Sequence, residues 1–145
     1  MDIPKPVPGL VIRYSYLWRA EYLQGRDEGS KARPCAIVLA VQKGEGGERV
    51  TVLPVTHAEP TNRELALEIP LATKKRLGLD GERSWIVLTE ANQFDWPGPD
   101  LRPIQIGGSA SVSYGQLSQR FFHRLREKFV RVLRAQNAGV VRRQE

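Results

Sequence analysis

The chain has 145 residues, a formal net charge of +6 and one cysteine, Cys35. That length suits a single domain able to bury about two-thirds of its unfolded surface, and a lone cysteine excludes an internal disulfide framework. The longest apolar run, residues 35–41, is much too short to cross a bilayer, and the proline-rich first residues hold no signal-type apolar stretch, so the expected location is the cytoplasm.

The excess charge is concentrated at one end. Residues 1–115 carry 14 Lys and Arg against 14 Asp and Glu, so the segment 116–145 accounts for the whole +6. Arg120, Arg124, Arg126, Lys128, Arg131, Arg134, Arg142 and Arg143 stand there against Glu127 and Glu145. The expectation is one domain over 1–136 and a basic tail over 137–145, with the arginines forming a solvated helix face or a docking surface for an acidic partner.

In chain order, residues 10–18 alternate, with Leu10, Ile12, Tyr14, Tyr16 and Trp18 on one face of a half-buried strand. A charged, glycine-containing loop follows. At Pro34 it gives way to the apolar strand 35–42, a hairpin turn Lys-Gly-Glu-Gly-Gly-Glu, and a second strand 49–56 with Val50, Val52 and Val55. A polar loop over 57–64 leads to a short strand marked by Leu65, Leu67 and Ile69, then to one or two helical turns over 72–77 stopped by Gly78. Residues 84–89 form another strand, and the segment after it ends in Trp-Pro-Gly-Pro at 96–99, where Trp96 is the better candidate for an exposed ring than Trp85. Leu117, Phe121, Leu125, Phe129 and Leu133, widened by Phe122 and Val132, recur every fourth residue as one face of a closing helix. The whole is a mainly β protein: a small, curled antiparallel sheet or barrel with a short internal helix and a C-terminal amphipathic helix across one side.

Most enzyme chemistries find no residues here. There is no phosphate-cradling or dinucleotide-binding glycine pattern, and no Cys or His pair at metal-ligand spacing, so no metal and no cofactor is expected. His57 and His123 are the only histidines, and a cysteine amid Ala, Ile, Val and Leu is a core residue rather than a nucleophile. What remains suits a phosphate. Glu28 and Arg33 share one loop, Pro34 holds Arg33 extended at the mouth of its strand, and Thr56 and His57 end the strand that the hairpin sets beside it. A carboxylate can take a 2′-OH proton, a guanidinium can grip the charge growing on phosphorus, and a hydroxyl can orient a phosphate oxygen.

Four blocks strengthen this reading. Pro-Gly-Leu-Val-Ile-Arg-Tyr at 8–14, Glu-x-x-x-x-Arg-Pro-Cys-Ala-Ile-Val-Leu at 28–39, Val-Leu-Pro-Val-Thr at 52–56 and Trp-Ile-Val-Leu-Thr-Glu-Ala-Asn-Gln at 85–93 together resemble the MazF/PemK/Kid family of toxins from toxin–antitoxin systems, in order and approximate spacing. The resemblance implies an SH3-like, CcdB/PemK-like barrel and a homodimer. It also implies a metal-independent, sequence-selective endoribonuclease acting on single-stranded RNA by 2′-OH attack, neutralised by an antitoxin protein. Arg33 and Thr56 fall on the family's catalytic arginine and threonine, and Glu28 on the glutamate that serves as base in some members. Another branch uses an Arg-x-Asp whose positions here are Leu88 and Glu90, so Leu88 cannot supply that arginine. Lys31 stands where a loop glycine is usual, with Gly29 nearby. Lys31 and Arg26 in the loop, His57 and Glu90 are further candidates for catalysis or RNA binding, although a solvated loop histidine is the commoner case. The alternative is a non-catalytic member of the same fold: a gyrase-poison-like binder, or an RNA- or antitoxin-binding chain that has lost cleavage.

Overall fold

The computed structural model describes residues 3–27, 29, 31–106, 108–135 and 138–143. Strands β1 (Leu10–Tyr14), β2 (Arg33–Gln42) and β3 (Glu48–Thr56) are joined antiparallel, with helix α1 (Arg19–Leu23) between the first two. A single 3-10 turn (Arg63–Leu65), β4 (Ala66–Glu68), helix α2 (Leu71–Leu77) and β5 (Trp85–Val87) follow, then β6 (Glu90–Trp96), the hairpin β7 (Ile104–Ile106) and β8 (Ser109–Ser111), and β9 (Ser113–Gln116). Helix α3 (Gln119–Arg134) and β10 (Gly139–Arg142) complete the described chain. The main sheet runs β10-β6-β3-β2-β1-β9, with β4 and β5 branching from β3. The fold is therefore mainly β, with one large and mostly antiparallel sheet and a helix near the C-terminus. Among the described residues no ladder joins β9 to β10, so backbone pairing does not close a barrel.

Strand β3 holds the centre because it pairs with β2, β6 and β5 at once. Burial on both faces explains why its sequence, with Val50, Val52, Leu53 and Val55 all buried, lacks clean alternation. One core lies under α3, where Phe121, Leu125, Phe129 and Val132 meet Val11, Ala36, Leu53, Leu88 and Ala91. The other fills the opposite face with Ile12, Tyr14, Tyr16, Cys35, Ile37, Val50, Val52 and Phe94. Within it, Tyr14 on β1 stacks on Phe94 of β6 with ring centroids 4.4 Å apart. Those strands are separated by β2 and β3, so in a flat sheet they would lie about 14 Å apart. The sheet must coil strongly for the rings to touch.

Side chains stitch together what the ladders leave open. Asn92, fully buried on β6, mimics a peptide group: its Oδ1 accepts from Leu17 N at 2.8 Å and its Nδ2 donates to Leu17 O at 2.8 Å. Glu90 accepts from Tyr16 Oη at 3.1 Å and from Arg19 N at 2.9 Å, so its carboxylate sits at the N-terminus of α1, where an anion is favoured. Gly78, at a left-handed φ of 71°, ends α2 at the expected position.

The region expected as a basic tail differs most from the sequence reading. Residues 139–142 form β10, parallel to β6 in the register Gly139 to Glu90 through Arg142 to Gln93. Arg143, next in the chain, is buried at 7% exposure, and its guanidinium finds five acceptors. Nη1 donates to Tyr14 Oη, Ser15 O and Asn92 Oδ1 at 3.2, 3.0 and 3.2 Å, while Nη2 donates to Asp27 O at 3.2 Å and Asp100 Oδ2 at 2.9 Å. A tail is pulled in because these groups, each costly to bury alone, satisfy one another. Other departures are smaller. The strand expected over 10–18 ends at Tyr14; β6 occupies a segment given no strand; and Leu133, expected on the core stripe, is 40% exposed. No helix among the described residues is long and apolar enough to cross a membrane.

Removing one partner of a buried ion pair costs about 3–5 kcal/mol. Arg143→Met should therefore lower the unfolding free energy measured in urea by an amount in that range, and so the midpoint, and adding Asp100→Leu should recover part of the loss. An unchanged midpoint for Arg143→Met would remove the guanidinium from the structural account.

Candidate functional site

The start of β2 and the end of β3 lie side by side. Cys35 pairs with Pro54, and carrying that register two residues further sets Arg33 against Thr56. They line a cleft of about 430 Å³ together with Trp18, Lys31, His57, Lys74, Asp80 and Ser84. Three of the residues named from sequence for catalysis or binding beside Arg33, namely Thr56, His57 and Lys31, thus share its cleft.

Arg33 is held from two sides. Its Nη1 donates to Val55 O at 3.3 Å, and its guanidinium carbon stands 4.8 Å from the centroid of the Trp18 ring. Stacking on an aromatic face fixes the plane of the guanidinium without using its in-plane donors. Its Nε is buried and finds no hydrogen-bond partner among the described residues. A buried, unsatisfied N–H is costly, so its position marks a guanidinium that the protein itself does not saturate. Thr56 accepts from Ala58 N at 3.1 Å through Oγ1, which orients its hydroxyl and leaves the proton to donate.

His57 sits in a chain of contacts that begins inside the protein. Lys74, on α2, is only 2% exposed, and its ammonium donates to Asp80 Oδ1 at 2.7 Å, to Ser84 Oγ at 2.6 Å and to the carbonyl of Glu82. The other oxygen of Asp80, Oδ2, lies 2.8 Å from His57 Nε2. The hydrogen bond from Lys74 holds the Asp80 carboxyl below its ordinary range, so it stays ionised and can accept from the imidazole. Glu82 Oε2 lies 3.9 Å from the same nitrogen. His57, Asp80 and Glu82 bring their donor atoms within 4.8 Å of one another, but the positive charge set against Asp80 here is the ammonium of Lys74.

The other candidates lie elsewhere. Glu28 falls outside the described residues. Glu90 is committed to Tyr16 and Arg19, and Arg26 pairs with Glu21 at 2.8 Å beside a separate cavity shared with Tyr22, Arg142 and Arg143. Leu88 is fully buried in the core under α3. The Cys35 thiol is fully buried, and burial pushes its pKa well up, which removes it as a nucleophile. Trp85 is buried, and Trp96 donates through its indole to Pro4 O at 3.1 Å while packing against the second core. The aromatic ring of the cleft is instead Trp18, which the alternating pattern placed on the core face of β1.

Sequence reasoning missed Lys74 and Asp80. The cations of α2 look like dipole partners at a helix end, yet Gly78 turns the chain so that Asp80, Glu82 and Ser84 close over Lys74. The signal available was a lysine one turn before a glycine stop, followed by Asp-Gly-Glu. Scans against family models and against curated proteins find no match, so the functional reading stands on the sequence blocks and on this geometry.

The folded-state pKa of Asp80 lies below the ordinary carboxylate value of 3.8, so its ion pair contributes stability above that value and loses it as the pH falls through the lowered one. The gap in unfolding midpoint between the parent and Asp80→Asn should be full at neutral pH and close in acid. Because Asp80 is half exposed, the gap should be modest and should shrink with salt. A gap that persists unchanged into strong acid would contradict the pairing.

Proposed function

We propose that this chain is a metal-independent, sequence-selective endoribonuclease of the MazF/PemK/Kid type, a toxin that cuts single-stranded RNA in the cytoplasm on a variant of that family's SH3-like barrel. The observation that carries the reading is Arg33: a guanidinium stacked on Trp18, with a buried N–H unsatisfied by any described group, beside the hydroxyl of Thr56 in one open cleft.

In this reading a phosphodiester enters the cleft, Arg33 donates to the non-bridging oxygens and Thr56 orients one of them. The 2′-oxygen attacks phosphorus, its proton passes to the carboxylate of Glu28, and the bond to the 5′-oxygen breaks to leave a 2′,3′-cyclic phosphate. As charge grows on the non-bridging oxygens, the preset guanidinium is worth more to the transition state than to the bound RNA. Trp18 gives a flanking base a ring edge to meet, and Lys31 adds charge at the rim.

The reading also carries two protein partners. The exposed arginines of α3, Arg120, Arg124, Arg126, Arg131 and Arg134, suit an acidic antitoxin segment, whereas Lys128 is engaged with the carbonyls of Arg63 and Ala66 at 2.7 and 2.9 Å. A second copy would let a short chain grip several nucleotides, and a twofold dimer is the commonest closed assembly.

The test is incubation of the purified protein with single-stranded RNA in EDTA. Discrete cuts ending in cyclic phosphate are expected, and Arg33→Ala should slow them by about a hundredfold or more while the circular dichroism spectrum is unchanged. Cutting by Arg33→Ala at the parental rate would remove Arg33 from the chemistry. No cutting by the parent on any RNA would leave the non-catalytic binder. Sedimentation at micromolar concentration should show a dimer, and a monomer alone would count against the shared RNA site.

A further inference from the structure

We propose that His57, held by Asp80 and through it by the buried Lys74, is the general acid that protonates the departing 5′-oxygen, with Asp80 and Lys74 as positioning residues. The inference rests on the endoribonuclease reading and adds to it the group that the leaving oxygen requires. An alkoxide is a poor leaving group near neutral pH, and Arg33, which has no acidic proton to give in this range, cannot protonate it.

The geometry supplies what a proton donor needs. His57 lines the same cleft as Arg33 and Thr56. Asp80 Oδ2 engages Nε2, whereas Nδ1 makes no hydrogen bond to the described residues and is left for substrate. Fixing one ring nitrogen on a carboxylate sets both the tautomer and the direction of the other nitrogen. Asp80 is in turn fixed by an ammonium with three acceptors in an almost closed pocket, so the support runs from the interior to the cleft. The charged groups facing His57 are Asp80 and Glu82 from the loop after α2, Lys74 behind Asp80, and Lys31 and Arg33 across the cleft.

The step balances as follows. The O2′–P bond forms and the P–O5′ bond breaks, and its electron pair leaves with the 5′-oxygen. That oxygen takes the proton from Nδ1 of the imidazolium, while the 2′-OH proton goes to the carboxylate that serves as base. The neutral imidazole left behind is reprotonated by water.

A substrate with sulfur in place of the bridging 5′-oxygen tests the role, because a thiolate leaves without needing a proton. With cuts mapped on ordinary RNA, the sulfur is placed at one mapped site and all reactions are run in EDTA. His57→Gln should slow the oxygen substrate about a hundredfold and leave the sulfur substrate within a few-fold of the parent. Asp80→Asn should show a smaller defect, also erased by sulfur, and Arg33→Ala should be slow on both. Equal slowing of both substrates by His57→Gln, or no slowing of either, overturns the assignment while leaving the endoribonuclease reading in place. A parent that cuts neither substrate overturns both.

Discussion

The guanidinium of Arg143 is the point on which the structure closes. It lies where backbone pairing runs out and touches the end of β1 through Tyr14 and Ser15, β6 through Asn92, the loop before β2 through the Asp27 carbonyl, and the segment after β6 through Asp100. A charge buried to this degree is tolerable only with its partners in place, so the five acceptors are constrained together. Beside it, the Asn92 amide pairs with Leu17 as a peptide would and carries the sheet around where no strand does.

The cleft inherits its order from that seam. The loop leading to Arg33 is charged and glycine-containing, a composition with little reason to hold one shape, yet it is tied at several points. Arg143 holds the carbonyl of Asp27, Arg26 pairs with Glu21, and Gly29 packs so closely on Tyr16 that a Cβ there would stand 2.0 Å from its carbonyl oxygen. The glycine that the loop keeps is thus needed for contact with β1's continuation, and Lys31 is free to face the cleft. Across from it, Lys74 fixes the loop carrying Asp80. The cleft is therefore built from two loops, each anchored by a buried cation, around the rigid ends of β2 and β3. Anchoring of this kind fixes the polar groups of the cleft in place, as the proposed reaction would require.

What could be read from the sequence was what local pattern determines. The hairpin of β2 and β3 follows from an apolar run, a glycine-rich turn and a second β-branched run; α2 stops at its glycine; and α3 shows its stripe except at Leu133, where a strict four-residue spacing has drifted off the buried face that Phe129 and Val132 keep. The juxtaposition of Arg33, Thr56 and His57 was legible because it follows from the hairpin register. The rest depends on distant partners. Strand β6, with Glu90, Asn92, Gln93 and Asp95 among its seven residues, looks too polar for a strand beside the centre of a sheet, and only Leu17, Tyr16 and Arg143 explain why such residues can sit there. The four residues of β10 follow an arginine-rich helix and look like more of the same surface until β6 offers a parallel edge. Lys74 and Arg143 share the same lesson: a cation is read as solvated unless its acceptors are known, and those acceptors are up to 129 residues away.

The central claim is that RNA phosphate is received at Arg33 between Trp18, Thr56 and His57. An NMR titration with single-stranded RNA methylated at its 2′-oxygens, so that it binds without being cut, tests this most directly. The account requires the Arg33 Nε–H, the Trp18 indole and the His57 ring signals to move first and together, before the arginines of α3. Early movement of the α3 signals while the three cleft signals stay in place would contradict it.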